Sequence, residues 1–115
     1  MAARVQGNPP IIASGGELTD PADSALAADT GALSAGIYEL RITVGASAAA
    51  DVAVERRNAA NAANVGAVPV IKVPAGQSGQ YLFTFKLETS ERVRVIMDDA
   101  LTGTIAVTIN GEKLG

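Results

Sequence analysis

Asp98 and Asp99 are adjacent carboxylates that, with Asp51 or Glu88 brought alongside, could offer oxygen ligands to a calcium ion. The segment lacks the alternating acidic spacing of a calcium loop, so a solvated turn at a strand end is the expectation, with no metal and no cofactor. Paired acids could also hydrolyse glycosides, but that chemistry needs a cleft and a set separation, and the aromatic platforms that hold sugars are scarce here. The chain has neither histidine nor cysteine. Imidazole bases, thiol nucleophiles, thiolate metal sites and disulfides are thereby excluded, along with any Ser/His/Asp or Cys/His set. Gly15-Gly16 and Gly76 to Gly79 lack the following helix and the lysine of a phosphate-binding loop, and read as turns. The chain is expected not to be an enzyme.

Arg56-Arg57 and Arg92-x-Arg94 are the remaining charged constellations. Arg92 and Arg94 project from one face of a strand, opposite the core, where Glu39, Glu55 and Glu91 balance them or where an acidic partner surface meets them. Leu82 and Ile96 also point outward, to be covered by the amino-terminal stretch or by another subunit. With 9 Lys+Arg against 12 Asp+Glu the net charge is -3, which argues against non-specific binding to nucleic acid. No run is long enough for a signal peptide, and none approaches the roughly 18 apolar residues of a membrane span. The expectation is a protein made in the cytoplasm that stays soluble or assembles there, with no membrane partner.

The elements that would position these residues are strands. At 115 residues the chain is one domain. Gln80 to Met97 reads as a β-hairpin: Tyr81, Phe83, Phe85 and Leu87 share one face of the first arm, and Val93, Val95 and Met97 share one face of the second. Three of the four aromatic residues sit in the first arm, so the core is expected to be anchored there. Truncating Phe83 or Phe85 to alanine should then cost about 3 to 5 kcal/mol. Tyr38 to Val44, Val52 to Arg57, Val68 to Val73 and Thr102 to Ile109 alternate in the same way, with Pro69 and Pro74 marking a sheet edge.

Asn58, Asn61 and Asn64 recur every third residue in a surface loop, and Asn110-Gly111 reads as a tight turn. Residues 1 to 16 form a proline-stiffened arm, in which Ile11 to Ser14 is a short edge strand and Gly15-Gly16 breaks the chain. Glu17 to Ala35 is left open between helix and loop, with a short strand near Leu26 to Asp29 favoured because only Leu26 and Leu33 are large. Residues 17 to 115 are expected to fold as a single all-β domain. Its class is an antiparallel β-sandwich, jelly-roll-like, with an extended N-terminal arm.

Four phrases carry a resemblance: Ala35-Gly36-Ile37-Tyr38-Glu39-Leu40-Arg41-Ile42, Val73-Pro74-Ala75-Gly76-Gln77, Glu91-Arg92-Val93-Arg94-Val95 and Leu101-Thr102-Gly103-Thr104-Ile105. Together they resemble the small decoration or cement proteins of tailed bacteriophage heads. The strand, Pro-Ala-Gly turn and Arg-Val-Arg strand are also similar to tumour-necrosis-factor-like jelly rolls. The resemblance implies a virion protein on the outer capsid surface, assembled in the host cytoplasm. It would cement the major capsid protein by contact alone, as a homo-oligomer, trimer before dimer. An extended arm suits such contact, because it can add a strand to a neighbour. The candidate contacts are Arg4, Val5, Pro9, Pro10, Ile11 and Ile12 in the arm, with Arg92, Arg94 and Ile96 on the outward face. The alternative is another virion part, a tail, fibre, receptor-binding or glycan-binding sandwich module, which would show a shallow polar pocket with an aromatic floor and an exposed Tyr38 or Tyr81.

Overall fold

Period-two runs of valine and isoleucine recur along the chain, and each becomes a strand in the computed structural model, which describes residues 11–115. In chain order these are β1 (Ile11–Thr19), β2 (Leu26–Asp29), β3 (Gly36–Ala46), β4 (Ala50–Arg57), β5 (Val70–Val73), β6 (Ser78–Leu87), β7 (Arg92–Met97) and β8 (Thr104–Lys113). They form two four-stranded sheets, sheet A in the order β1-β8-β3-β6 and sheet B in the order β2-β7-β4-β5. All pairings are antiparallel.

The pairs β1–β8, β2–β7, β3–β6 and β4–β5 nest as in one long hairpin bent at its β4–β5 end. Pairing β8 with β3 and β7 with β4 rolls that hairpin into a sandwich. This is a jelly roll, the expected class. The extended arm, with Arg4, Val5, Pro9 and Pro10, lies outside the described residues. Ile11 to Gly16, read from sequence as the end of the arm, form the first part of β1.

The inward rows meet between the sheets: Tyr38, Leu40, Ile42 and Val44 from β3, Ile105, Val107 and Ile109 from β8, Val52 and Val54 from β4, and Val93, Val95 and Met97 from β7. All of them are buried.

Three local readings change. Gln80 to Met97 is not a hairpin: β6 pairs with β3 in sheet A, while β7 pairs with β2 and β4 in sheet B. Alternation reports which face a side chain takes, not which strand lies alongside, so both arms keep their predicted faces while their partners differ. The link between them crosses from one sheet to the other and is tied to Leu33, whose carbonyl accepts from Ser90 N at 2.8 Å and whose N–H donates to Glu91 O at 2.9 Å.

Asn110-Gly111 is not a turn but mid-strand in β8, where Gly111 lies opposite Leu40 on one side and Ile11 on the other. A Cβ on Gly111 would run into the Glu39 carbonyl, so glycine serves close strand approach there. Gly15-Gly16 likewise does not break the chain. It forms a bulge between Ser14 and Glu17 inside β1, with Gly16 at φ 75° and no room for a Cβ on Gly15 against the Ala27 carbonyl of β2.

The open segment 17–35 contains no helix, and β2 occupies Leu26 to Asp29 as favoured. The asparagines at 58, 61 and 64 are the fastening of their loop. Asn58 Oδ1 accepts from Ala62 N at 2.9 Å, and Asn61 and Asn64 side chains accept from the Arg57 guanidinium at 3.0 and 2.8 Å.

Candidate functional site

Each sheet has an outer face, and the two are chemically unlike. On sheet B the charges are spent within the chain. Arg94 Nε donates to Glu55 Oε1 at 2.5 Å and Arg92 Nη1 to Asp29 Oδ2 at 3.3 Å. At one end of the sandwich Arg56 donates to Glu91 Oε1 through Nε at 3.0 Å and Nη2 at 2.6 Å. That same oxygen accepts from Glu88 N at 2.7 Å.

Burial works to raise the Glu55 carboxyl, but hydrogen bonds from Arg94 and Asn64 and the charges of Arg94 and Arg57 outweigh it and hold it below its ordinary value. The Glu88 N–H is the main influence lowering Glu91; burial opposes it and Arg56 adds to it. Carboxyls depressed on folding stabilise the fold above their unfolded pKa of about 4.3, and that contribution is lost as pH falls through the folded values. Thermal midpoints should therefore hold from neutral pH to about pH 5 and drop below it, less steeply in a Glu55→Gln/Glu91→Gln variant. An equal acid slope in the variant would show that these two groups are not responsible.

The outer face of sheet A is different. Its strands place Ile12, Asn110, Arg41 and Leu82 in one cross-strand row, Glu112, Glu39 and Thr84 in the next, and Ser14, Thr108, Thr43 and Gln80 on the other side. Glu39, Arg41, Leu82, Asn110, Gly111 and Glu112 line a shallow depression of about 170 Å³. Among the described residues, no side-chain hydrogen bond or ion pair engages Glu39, Arg41, Asn110 or Glu112, in contrast to the arginines of sheet B. Glu39 and Glu112 are like charges placed directly opposite, an arrangement that costs stability unless something between them is bound. Leu82, 59% exposed, and Ile12, 74% exposed, stand at the two ends of the Arg41 row.

The residues predicted as contacts are not brought together. Ile12 lies on the outer face of sheet A, Ile11 packs partly against the core, and Arg92, Arg94 and Ile96 lie on the outer face of sheet B. Arg92 and Arg94 are engaged by acids, but of those named from sequence only Glu55 takes part: Arg92 pairs with Asp29, Glu91 with Arg56, and Glu39 belongs to the other sheet. Tyr38 is 2% exposed and donates its hydroxyl to Ser34 O at 2.6 Å, while Tyr81 is half-buried on the inner side of β6. The depression is thus polar as expected for a glycan site but has no aromatic floor. Asp98 and Asp99 follow β7, whereas Glu88 precedes it, so those carboxylates sit at opposite ends of a strand.

Sequence does not group Glu39, Arg41, Asn110 and Glu112: Glu39 reads there as a balancing acid and Asn110 as a turn residue. The inward alternation of Leu40 and Ile42 in β3, and of Val107 and Ile109 in β8, already turns Glu39, Arg41 and Asn110 outward. The turn reading of Asn110-Gly111 hid the continuation of β8 that lines them up.

The sequence matches no protein-family model and no curated protein. Its fold, however, matches solved structures. The globular domain of zebrafish complement 1qA protein aligns over 92% of this chain and 95% of that one, with TM-score 0.59 and 7% identity. A carbohydrate-binding module, CBM4, aligns over 92% and 79%, with TM-score 0.56 and 12% identity. The apo form of BiXyn10A CBM1 aligns over 83% and 70%, with TM-score 0.53 and 16% identity. At these identities the likeness is one of β-sandwich fold.

Proposed function

We propose that this domain is a non-catalytic carbohydrate-binding module whose ligand lies across the outer face of sheet A. The observation that carries the reading is the set of polar side chains around the depression with no partner among the described residues: Glu39, Arg41, Asn110 and Glu112. A sugar presents alternating hydroxyl donors and acceptors, and side chains fixed on a rigid sheet meet them with little ordering cost. Leu82 supplies an apolar patch for the C–H face of a ring. Glu39 and Glu112 rise from the same side of a bound chain, whereas hydrolysis needs carboxyls flanking the scissile bond, so the pair suits holding rather than cutting. The likeness to carbohydrate-binding modules supports the same choice.

Affinity electrophoresis and calorimetry against a panel of soluble polysaccharides test it. Arg41→Ala and Asn110→Ala should each weaken binding about tenfold, a loss of roughly 1.4 kcal/mol. Lys72→Ala, on sheet B, should leave it unchanged. Absence of binding across the panel, or binding indifferent to both site variants, would sink the proposal.

A second reading is the phage-head decoration role implied by the phrases from Ala35 onward. The exposed Ile12 and Leu82 favour it, because two large apolar residues on a flat face suit a protein surface. Co-sedimentation with phage heads in the absence of any polysaccharide binding would support it instead.

A further inference from the structure

The two flanks of the sandwich treat their exposed strand edges differently. On one flank, β1 carries the Ser14/Glu17 bulge and β2 a second irregularity between Leu26 and Ala28. Bulges spoil the regular ladder that an incoming strand needs. On the other flank β6 runs ten residues, Ser78 to Leu87, in unbroken register with β3. It has no proline and a single charge, Lys86.

Among the described residues no backbone hydrogen bond joins β6 to anything but β3. Alternate N–H and C=O groups along that edge therefore point into solvent. Tyr81, Phe83 and Phe85 on its inner side are only partly covered, with the two phenylalanine rings stacked at a centroid distance of 6.0 Å.

We propose that β6 pairs antiparallel with β6 of a second copy, joining two A sheets across a twofold axis at Phe83. The strand is complementary to itself in that register. Phe83 meets Phe83 of the second copy, Tyr81 lies opposite Phe85, and Leu82 lies opposite Thr84, so inner faces meet inner faces throughout. Lys86 falls opposite Gln80, and no like charges confront each other. The half-covered rings of both copies become one continuous aromatic strip. Isologous pairing also uses up the edge, so the assembly closes as a dimer rather than the trimer expected from resemblance.

Sedimentation equilibrium over a concentration series should give twice the 11.6 kDa chain mass. Gln80→Lys sets lysine against Lys86 at both symmetric positions and should weaken the dimer roughly threefold or more; Gln80→Glu should tighten it by a similar factor. Gln80 is exposed, so each variant should keep the fold, and circular dichroism checks that it does. A monomer at every concentration overturns the pairing. So does a dimer whose dissociation constant is unmoved by both variants or moves in the same direction with each.

Discussion

Ile42→Ala is expected to lower the unfolding free energy by about 2 to 5 kcal/mol, and Phe83→Ala, the larger truncation, by less. Ile42 is fully buried at the centre of sheet A, opposite Ile109 of β8 on one side and Tyr81 of β6 on the other. Removing its side chain leaves a cavity walled on every side by strands that cannot close in. Phe83 lies on β6, the last strand of sheet A, and the strand at the matching end of sheet B, β5, has only four residues. Its ring is therefore partly in water before it is removed, and the transfer lost is smaller. Urea denaturation of the two variants gives the comparison. A larger loss at Phe83 would mean that β6 is covered in solution, as it would be in a β6–β6 dimer, so the measurement belongs at concentrations where the protein is monomeric.

Glu91→Ala is expected to cost about 2 to 3 kcal/mol, less than the roughly 3 to 5 kcal/mol of breaking a fully buried ion pair, because Arg56 keeps some contact with solvent. One carboxylate oxygen serves both the Arg56 guanidinium and the Glu88 N–H, and so holds the crossing from β6 to β7 against the end of β4. Without it a guanidinium and a backbone donor lose their acceptor together. Arg56→Met with Glu91→Leu should recover part of the loss, since no charge is then stranded, but not the part owed to the Glu88 N–H. Chemical denaturation of the single and double variants decides it; a cost under about 1 kcal/mol for Glu91→Ala would show that the crossing is held by Leu33 alone.

Much of this fold is written in alternation. Tyr38 to Val44, Val52 to Arg57 and Val93 to Met97 took the faces that their period assigns, and the same arithmetic that buries Leu40 and Ile42 exposes Glu39 and Arg41. Pairing is not written there. Gln80 to Met97 reads as adjacent strands because a short link suits a hairpin, yet Glu91, Ser90 and Leu33 fix that link as a bridge between sheets. Glycine is ambiguous for a similar reason. Gly111 after asparagine has the chemistry of a turn and also of a crowded strand, and only the neighbouring Glu39 carbonyl distinguishes them. The candidate site depends on that choice, because Asn110 and Glu112 stand beside Arg41 and Glu39 only if β8 continues.

The place of β8 between β1 and β3 also governs the order in which the protein can be made. On the ribosome, β1 has no neighbour in its own sheet until residues 104–113 have emerged, and β3 has only β6. Sheet B and the β3–β6 pair can form before then, so β1, the first strand made, is the one that must wait unpaired for the last in sequence. The edge groups of Ile11 to Thr19 are therefore the ones left open longest during synthesis.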